Sequence, residues 1–146
     1  MRHFEDFSPG QTFRTASVTL TLEAVLDFAG QYDPQPMHLD TDPAASGPLG
    51  PLSASGWHTA CAVMRLMVDA DVMDGAPMLG LGVDGLRWPN PVRPNDTIAA
   101  ELEVVSTRPS ASKPTHGVVG MKVTARNQNG EIVLTMQPNL WVPRRP

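Results

Sequence analysis

Apolar residues change their spacing along the chain, and each change marks an element. Residues 11–20, QTFRTASVTL, alternate loosely and are rich in Thr and Val, which predicts a first strand after the Pro9-Gly10 turn. The period then becomes helical. Leu22, Val25, Leu26, Ala29 and Tyr32 recur at that spacing behind a capping Thr21, with Glu23 in the first turn, so a helix is expected over about 21–31. Phe28 to Asp40, FAGQYDPQPMHLD, is read as a stiff non-helical loop, because Pro34 and Pro36 lack amide donors and push their predecessors toward extended geometry. Pro43, Pro48 and Pro51 with Gly47 and Gly50 continue as a long loop. The strongest helix is expected from Ser53 to Ala70. Its stripe of Ala60, Val63, Met64, Met67 and Val68 is widened by Cys61, Ala62 and Leu66, leaving His58, Arg65 and Asp69 as a narrow polar edge. Such a helix must be enclosed on several sides, as a curved sheet would do.

The second half alternates with period two. Ile98, Ala100, Leu102 and Val104 form one buried face, Val119, Met121, Val123 and Ala125 another. Asn129-Gly130 separates two such runs as a hairpin turn, and residues 131–142 return as the last strand, with Pro138 marking a bulge or an edge. Between Ser106 and Thr115 a mobile connection is expected. The result is an α+β chain with helices packed on one antiparallel sheet. At 146 residues, 1–146 reads as a single domain.

Composition narrows the function. A net charge of −4 provides no global basic field for a nucleic acid or an anionic membrane, so any polyanionic ligand must meet local arginines. The first residues, MRHFEDFSPG, carry no apolar stretch of signal-peptide length, and Ala60–Met64 is far too short to cross a bilayer; a cytoplasmic protein is expected. The single cysteine, Cys61, rules out an internal disulfide and a Cys-based zinc site, and its context reads as a small buried side chain.

Chemistry concentrates at Asp33 and His38. On a continuous helix they would point about 140° apart at ~100° per residue; on a Pro-stiffened loop they can converge on a water as a general acid and base. The plainer reading is a turn-capping Asp and a structurally satisfied His. Asp33-x-Gln35-Pro36-x-His38 resembles the D-x-N-P-x-H signature of MaoC-like (R)-specific enoyl-CoA hydratases and dehydratases, a branch of the hotdog fold in which an antiparallel sheet wraps a central helix. Two further segments resemble that family in the right order. Ser55-Gly56-Trp57-His58 opens the buried helix, and Pro91-Val92-Arg93-Pro94-Asn95-Asp96 follows the family's Pro-Val-x-x-Gly-Asp. Gln35 stands where Asn is usual, Ser55 where many members have His, and Asn95 where Gly is usual.

The resemblance implies a homodimer or higher homo-oligomer, an acyl-CoA thioester substrate, and water added across or removed from the C2–C3 double bond. No metal or redox cofactor is implied. Asp33 and His38 would hold the water, and the Gly56 amide would stabilise the enolate-like oxygen, since a helix N-terminus offers unpaired amides; a simple helix start is the other reading of Gly56. Gln35, Ser55, Trp57, His58, Arg87 and Arg93 are expected around the substrate, with Arg87, Arg93, Arg108 and Lys113 as candidates for the CoA phosphates. A hydrogen bond to a residue that itself lines the site is the plainer role for His58, and solvation for His3 and His116. Gly80-x-Gly82-x-x-Gly85 formally matches a dinucleotide fingerprint, but no helix can open within it, so these glycines read as strand or bulge positions. His38-x-Asp40 with His58 or His116 resembles a facial iron triad, which would leave Asp33 without a role. A hotdog thioesterase and an inactive acyl-thioester-binding partner subunit remain the alternative functions.

Overall fold

The computed structural model describes residues 1–42, 47–48 and 50–146. Pro43, expected in the Pro-rich loop, lies outside the described residues. Five strands, β1 (Thr12–Thr19), β2 (Leu79–Arg87), β3 (Thr97–Pro109), β4 (His116–Arg126) and β5 (Ile132–Pro143), form one antiparallel sheet in the order β1-β3-β4-β5-β2. Helices α1 (Leu22–Tyr32), α2 (Pro36–Leu39) and α3 (Gly56–Asp69) occupy the stretch between the first two strands. The sheet wraps α3 in the hotdog arrangement. Val63, Leu66 and Met67 of the helix join Ile98, Leu102, Val104, Met121, Val123, Leu134 and Val142 of the strands in one buried core.

The period-two faces of β3 and β4 are buried as their alternation requires. Thr21 caps α1, its Oγ1 accepting from the Ala24 amide at 3.2 Å. Between β4 and β5 the chain reverses over residues 127–131, where Gly130 alone takes positive φ (+77°). Asn95 adopts φ +70°, the left-handed geometry that Gly would supply more cheaply, and Asp96 closes the same turn by accepting from the Arg93 amide at 2.8 Å. The glycines of β2 lie in a strand, beside register shifts at Gly80/Gly82 and Asp84/Arg87.

Three expectations fail. The Phe28–Asp40 segment is not a loop throughout: α1 runs on to Tyr32, and α2 places Pro36 in its first turn, where a missing amide costs nothing. The connection after Ser106 is shorter than 106–115, because Ser106–Pro109 pair with Gly117–Gly120. Pro109 is tolerated since β1 pairs with β3 only along Thr97–Glu103, leaving no strand opposite its missing donor on that side. Pro138, expected at a bulge or an edge, meets the first of these: it lies in an interior strand beside the β2 register shifts. Finally, part of the apolar surface of α3 stays open. Met64, Val68 and Cys61, read as stripe or buried positions, are exposed, because the sheet covers the face carrying Thr59, Val63, Leu66 and Met67 and stops there.

Candidate active site

Helix termini place the two central groups. Asp33 is the residue that ends α1, its amide still bonded to Ala29 O at 2.9 Å; the chain then turns at Pro34, with Gln35 N donating to Asp33 O at 2.8 Å. One turn of α2 follows, and His38 sits on it. That short helix brings the imidazole back beside the carboxylate: His38 Nε2 lies 3.3 Å from Asp33 Oδ2. The His38 ring is 5% exposed and its Nδ1–H donates to the carbonyl of Ser53 at 2.7 Å. This bond assigns the proton to Nδ1 in the neutral ring, so Nε2 presents a lone pair toward Asp33. Two acceptors therefore face one another, and the pair is satisfied only by a proton or by a donor shared between them.

The carboxylate is held on both oxygens. Gln35 Nε2 donates to Oδ1 at 2.6 Å and Ser55 Oγ donates to Oδ2 at 2.7 Å. These bonds, Gln35's first and Ser55's second, hold the Asp33 carboxyl below its ordinary value; burial opposes them, and His38 adds to them when its ring is protonated. Two of the three departures from the family's motifs thus converge on one group. Ser55 is fully buried and precedes the first residue of α3, yet its hydroxyl makes no cap to that helix. Spent on Asp33, it leaves the first-turn amides of a 14-residue helix unsatisfied by any capping side chain. Those amides and the positive end of the helix dipole open where Asp33 and His38 stand.

Asp33, His38, Gly56 and Trp57 line a single cavity of about 330 Å³, walled by Trp88, Pro89, Pro91, Val92 and Val133. Trp88 packs flat against the start of α3. A Cβ on Gly56 would lie 2.7 Å from Trp88 Cε2, so the glycine is required by the close approach of an indole. Trp57 meets the same indole edge-on, ring centroids 5.4 Å apart.

Several expected site residues stand elsewhere. Among the described residues the His58 side chain makes no hydrogen bond and its buried Nδ1 has no partner; its ring stacks on Phe28 at 4.8 Å and 7°, and burial lowers its pKa from 6.5. The reason is the turn of α3, which points residue 58 at α1 while Gly56 and Trp57 face the cavity. Arg87 ends β2 and Arg93 directs its guanidinium to the Pro51 carbonyl; neither lines the cavity. Arg108 and Lys113 line a separate groove with Trp141. His116 is half-buried and stacked on Trp141 at 4.1 Å, not solvated. Among the described residues no three His, Cys, Asp or Glu side chains are placed to hold a metal, and His38 uses its ring nitrogens on Ser53 and Asp33. Among the described residues no helix is long and apolar enough to cross a membrane. Sequence reasoning missed Ser53, which fixes the imidazole through its main chain and so leaves no side-chain signature.

An antiparallel sheet wrapped on a helix, with a carboxylate–imidazole pair at that helix's start, defines a hotdog-fold protein. The chain belongs to the family of the MaoC like domain, whose model matches residues 5–127. A MaoC-like dehydratase from Rhodospirillum rubrum is 38% identical and superposes with a TM-score of 0.93, covering 100% of this chain and 99% of the other. A Mycobacterium tuberculosis protein with a double hotdog fold is 26% identical at a TM-score of 0.75 and covers 99% of this chain, which spans 45% of it. The R-hydratase PhaJ1 of Pseudomonas aeruginosa shares the fold at 24% identity and a TM-score of 0.75, covering 98% of this chain and 86% of the other.

Proposed function

We propose that this MaoC-like dehydratase adds water to, or removes it from, the C2–C3 double bond of an enoyl thioester, with the CoA ester as substrate. The observation that carries the reading is the 3.3 Å approach of His38 Nε2 to Asp33 Oδ2 beside the uncapped start of α3. A water that donates one hydrogen to each of these acceptors satisfies both and turns a lone pair toward C3 of a bound enoyl group. Its oxygen bonds to C3 while one acceptor takes its proton; the π electrons move to C2 and onto the thioester oxygen, which the Gly56 amide meets. Proton return at C2 restores the thioester, so the step is redox-neutral and its electron sink is the polarised carbonyl. Dehydration is the same path reversed.

The remaining assignments belong to this proposal. β2 is an edge strand exposing Leu79, Leu81 and Val83, and an antiparallel edge is complementary to its own copy about a two-fold axis, which supports a homodimer. A CoA ester places the protein in the cytoplasm. The test is to mix the protein with a short trans-2-enoyl-CoA. Loss of conjugated absorbance with formation of the 3-hydroxyacyl thioester is expected; release of free thiol from a saturated acyl-CoA instead would replace this reading with a thioesterase.

A further inference from the structure

Among the described residues that line the catalytic cavity, Asn90 alone carries a carboxamide, and the mechanism gives it no task. It is half-buried between Trp88-Pro89 and Pro91-Val92, in an otherwise apolar stretch of the wall. Both ends of the side chain are fixed. Pro89 and Pro91 restrict the backbone on either side, and Nδ2 donates to the carbonyl of Ile132, the first residue of β5, at 2.9 Å. A carbonyl takes only a donor, so this bond also decides which end of the amide is nitrogen. One N–H and the lone pairs of Oδ1 are left over, and among the described residues they have no partner. A fixed amide with a spare donor and a spare acceptor on an apolar wall is matched by a ligand group that both accepts and donates.

We propose that Asn90 sets substrate specificity by binding a hydroxyl carried on the acyl chain beyond the reacting carbons. The inference rests on the enoyl-thioester reading and names its substrate class: short acyl thioesters bearing a neutral hydroxyl. A carboxylate substituent is disfavoured, since it would meet Asp33 and, among the described lining residues, no Lys or Arg. A ketone accepts without donating and would use the N–H alone. At about 30 Å³ per water-sized group, a cavity of about 330 Å³ has room for about eleven such groups, which suits a short chain.

The test uses pairs of trans CoA thioesters in which a hydroxyl replaces the terminal methyl: 4-hydroxybut-2-enoyl against pent-2-enoyl, 5-hydroxypent-2-enoyl against hex-2-enoyl, and 6-hydroxyhex-2-enoyl against hept-2-enoyl. Dissociation constants are measured by calorimetry in His38→Ala, which keeps Asp33 and suppresses turnover. An unpartnered hydroxyl in an apolar cavity would bind more weakly than methyl. Instead, at least one hydroxyl compound is expected to bind about tenfold more tightly than its methyl partner, as one or two neutral hydrogen bonds would give, and the chain ending in a carboxylate at that position is expected to bind more weakly than either. Adding Asn90→Leu, a change of similar size, should reverse the preference and leave the affinity for the methyl compound within about threefold. Methyl preferred in all three pairs, a tightest-binding carboxylate, or Asn90→Leu weakening both members of a pair alike, as a purely structural amide would, overturns the proposal. The three pairs decide it even if Asn90→Leu does not fold. A hydroxyl preference in a protein whose wild type hydrates none of these compounds would sink the proposed function alone, and hydration of the methyl compounds with no hydroxyl preference would sink this inference alone.

Discussion

Replacing Ser55 by Ala separates a catalytic role from a structural one at the same atom. The serine precedes α3, where Ser to Ala ordinarily costs about 1 kcal/mol of helix stability through a lost cap. Here the hydroxyl makes no cap and donates to Asp33 Oδ2 at 2.7 Å. A hydrogen bond to a charged group contributes about 1.5–3 kcal/mol. With the Asp33 side chain 17% exposed, water replaces little of it. If the bond orients the carboxylate in the transition state, kcat/KM falls about ten- to hundred-fold, at about 1.4 kcal/mol per factor of ten. The pH dependence carries a sign. Asp33 is held below its ordinary 3.8 in the folded protein, so its bonds stabilise the fold above that value, and the stabilisation is lost as pH falls through the folded pKa. Ser55→Ala should therefore raise the acid limb of kcat/KM, and its stability deficit should shrink toward low pH. Stopped assays of enoyl-CoA hydration across pH, with urea unfolding at matched pH, measure both. An unmoved acid limb with a stability loss independent of pH would refute the reasoning and return Ser55 to capping.

Three other expectations follow from particular contacts. Gly56→Ala drives a methyl into the Trp88 indole and should cost about 1–3 kcal/mol of stability along with activity, part of which Trp88→Phe restores in the double variant. His58 is buried beside Phe28 with its pKa lowered from 6.5, so the unfolded chain binds its proton first; denaturation at pH 8 and pH 5 should show wild type losing stability relative to His58→Phe as pH falls below about 6.5. Glu5 is held down to about 2 by the Arg145 amide and then the Arg144 side chain, so the stabilising effect of Glu5 over Glu5→Gln is expected in full above 4.5 and lost between 4.5 and about 2, as read by melting temperature across that range.

What the sequence made legible was whatever repeats with a period or depends on one backbone angle. The buried faces of β3 and β4 and the core-facing side of α3 follow from spacing, and Asn95 from its tolerance of positive φ. The errors share a cause: a residue's usual behaviour was applied without knowing which neighbour it would have. Pro36 breaks a helix in general and starts one here. Pro109 and Ser106 suit a loop, yet extend β3 where β1 has ended. Cys61 and Met64 belong to an apolar helix, but how far the sheet curves around that helix is a tertiary fact. The approach of Asp33 to His38 was legible. The hold of Ser55 on Asp33, the Ser53 carbonyl on His38 and the Trp88 ring on Gly56 were not, since each joins positions distant in sequence or uses main-chain atoms.

The central claim is that Asp33 and His38 act together on one water. Steady-state hydration of a trans-2-enoyl-CoA by wild type, Asp33→Asn, His38→Ala and the double variant tests it most directly. Each single change should lower kcat by about 10²–10⁴, and the double should be little worse than either, as expected of groups that act as a unit. Turnover that persists in both single variants, or losses that simply multiply in the double, would contradict it.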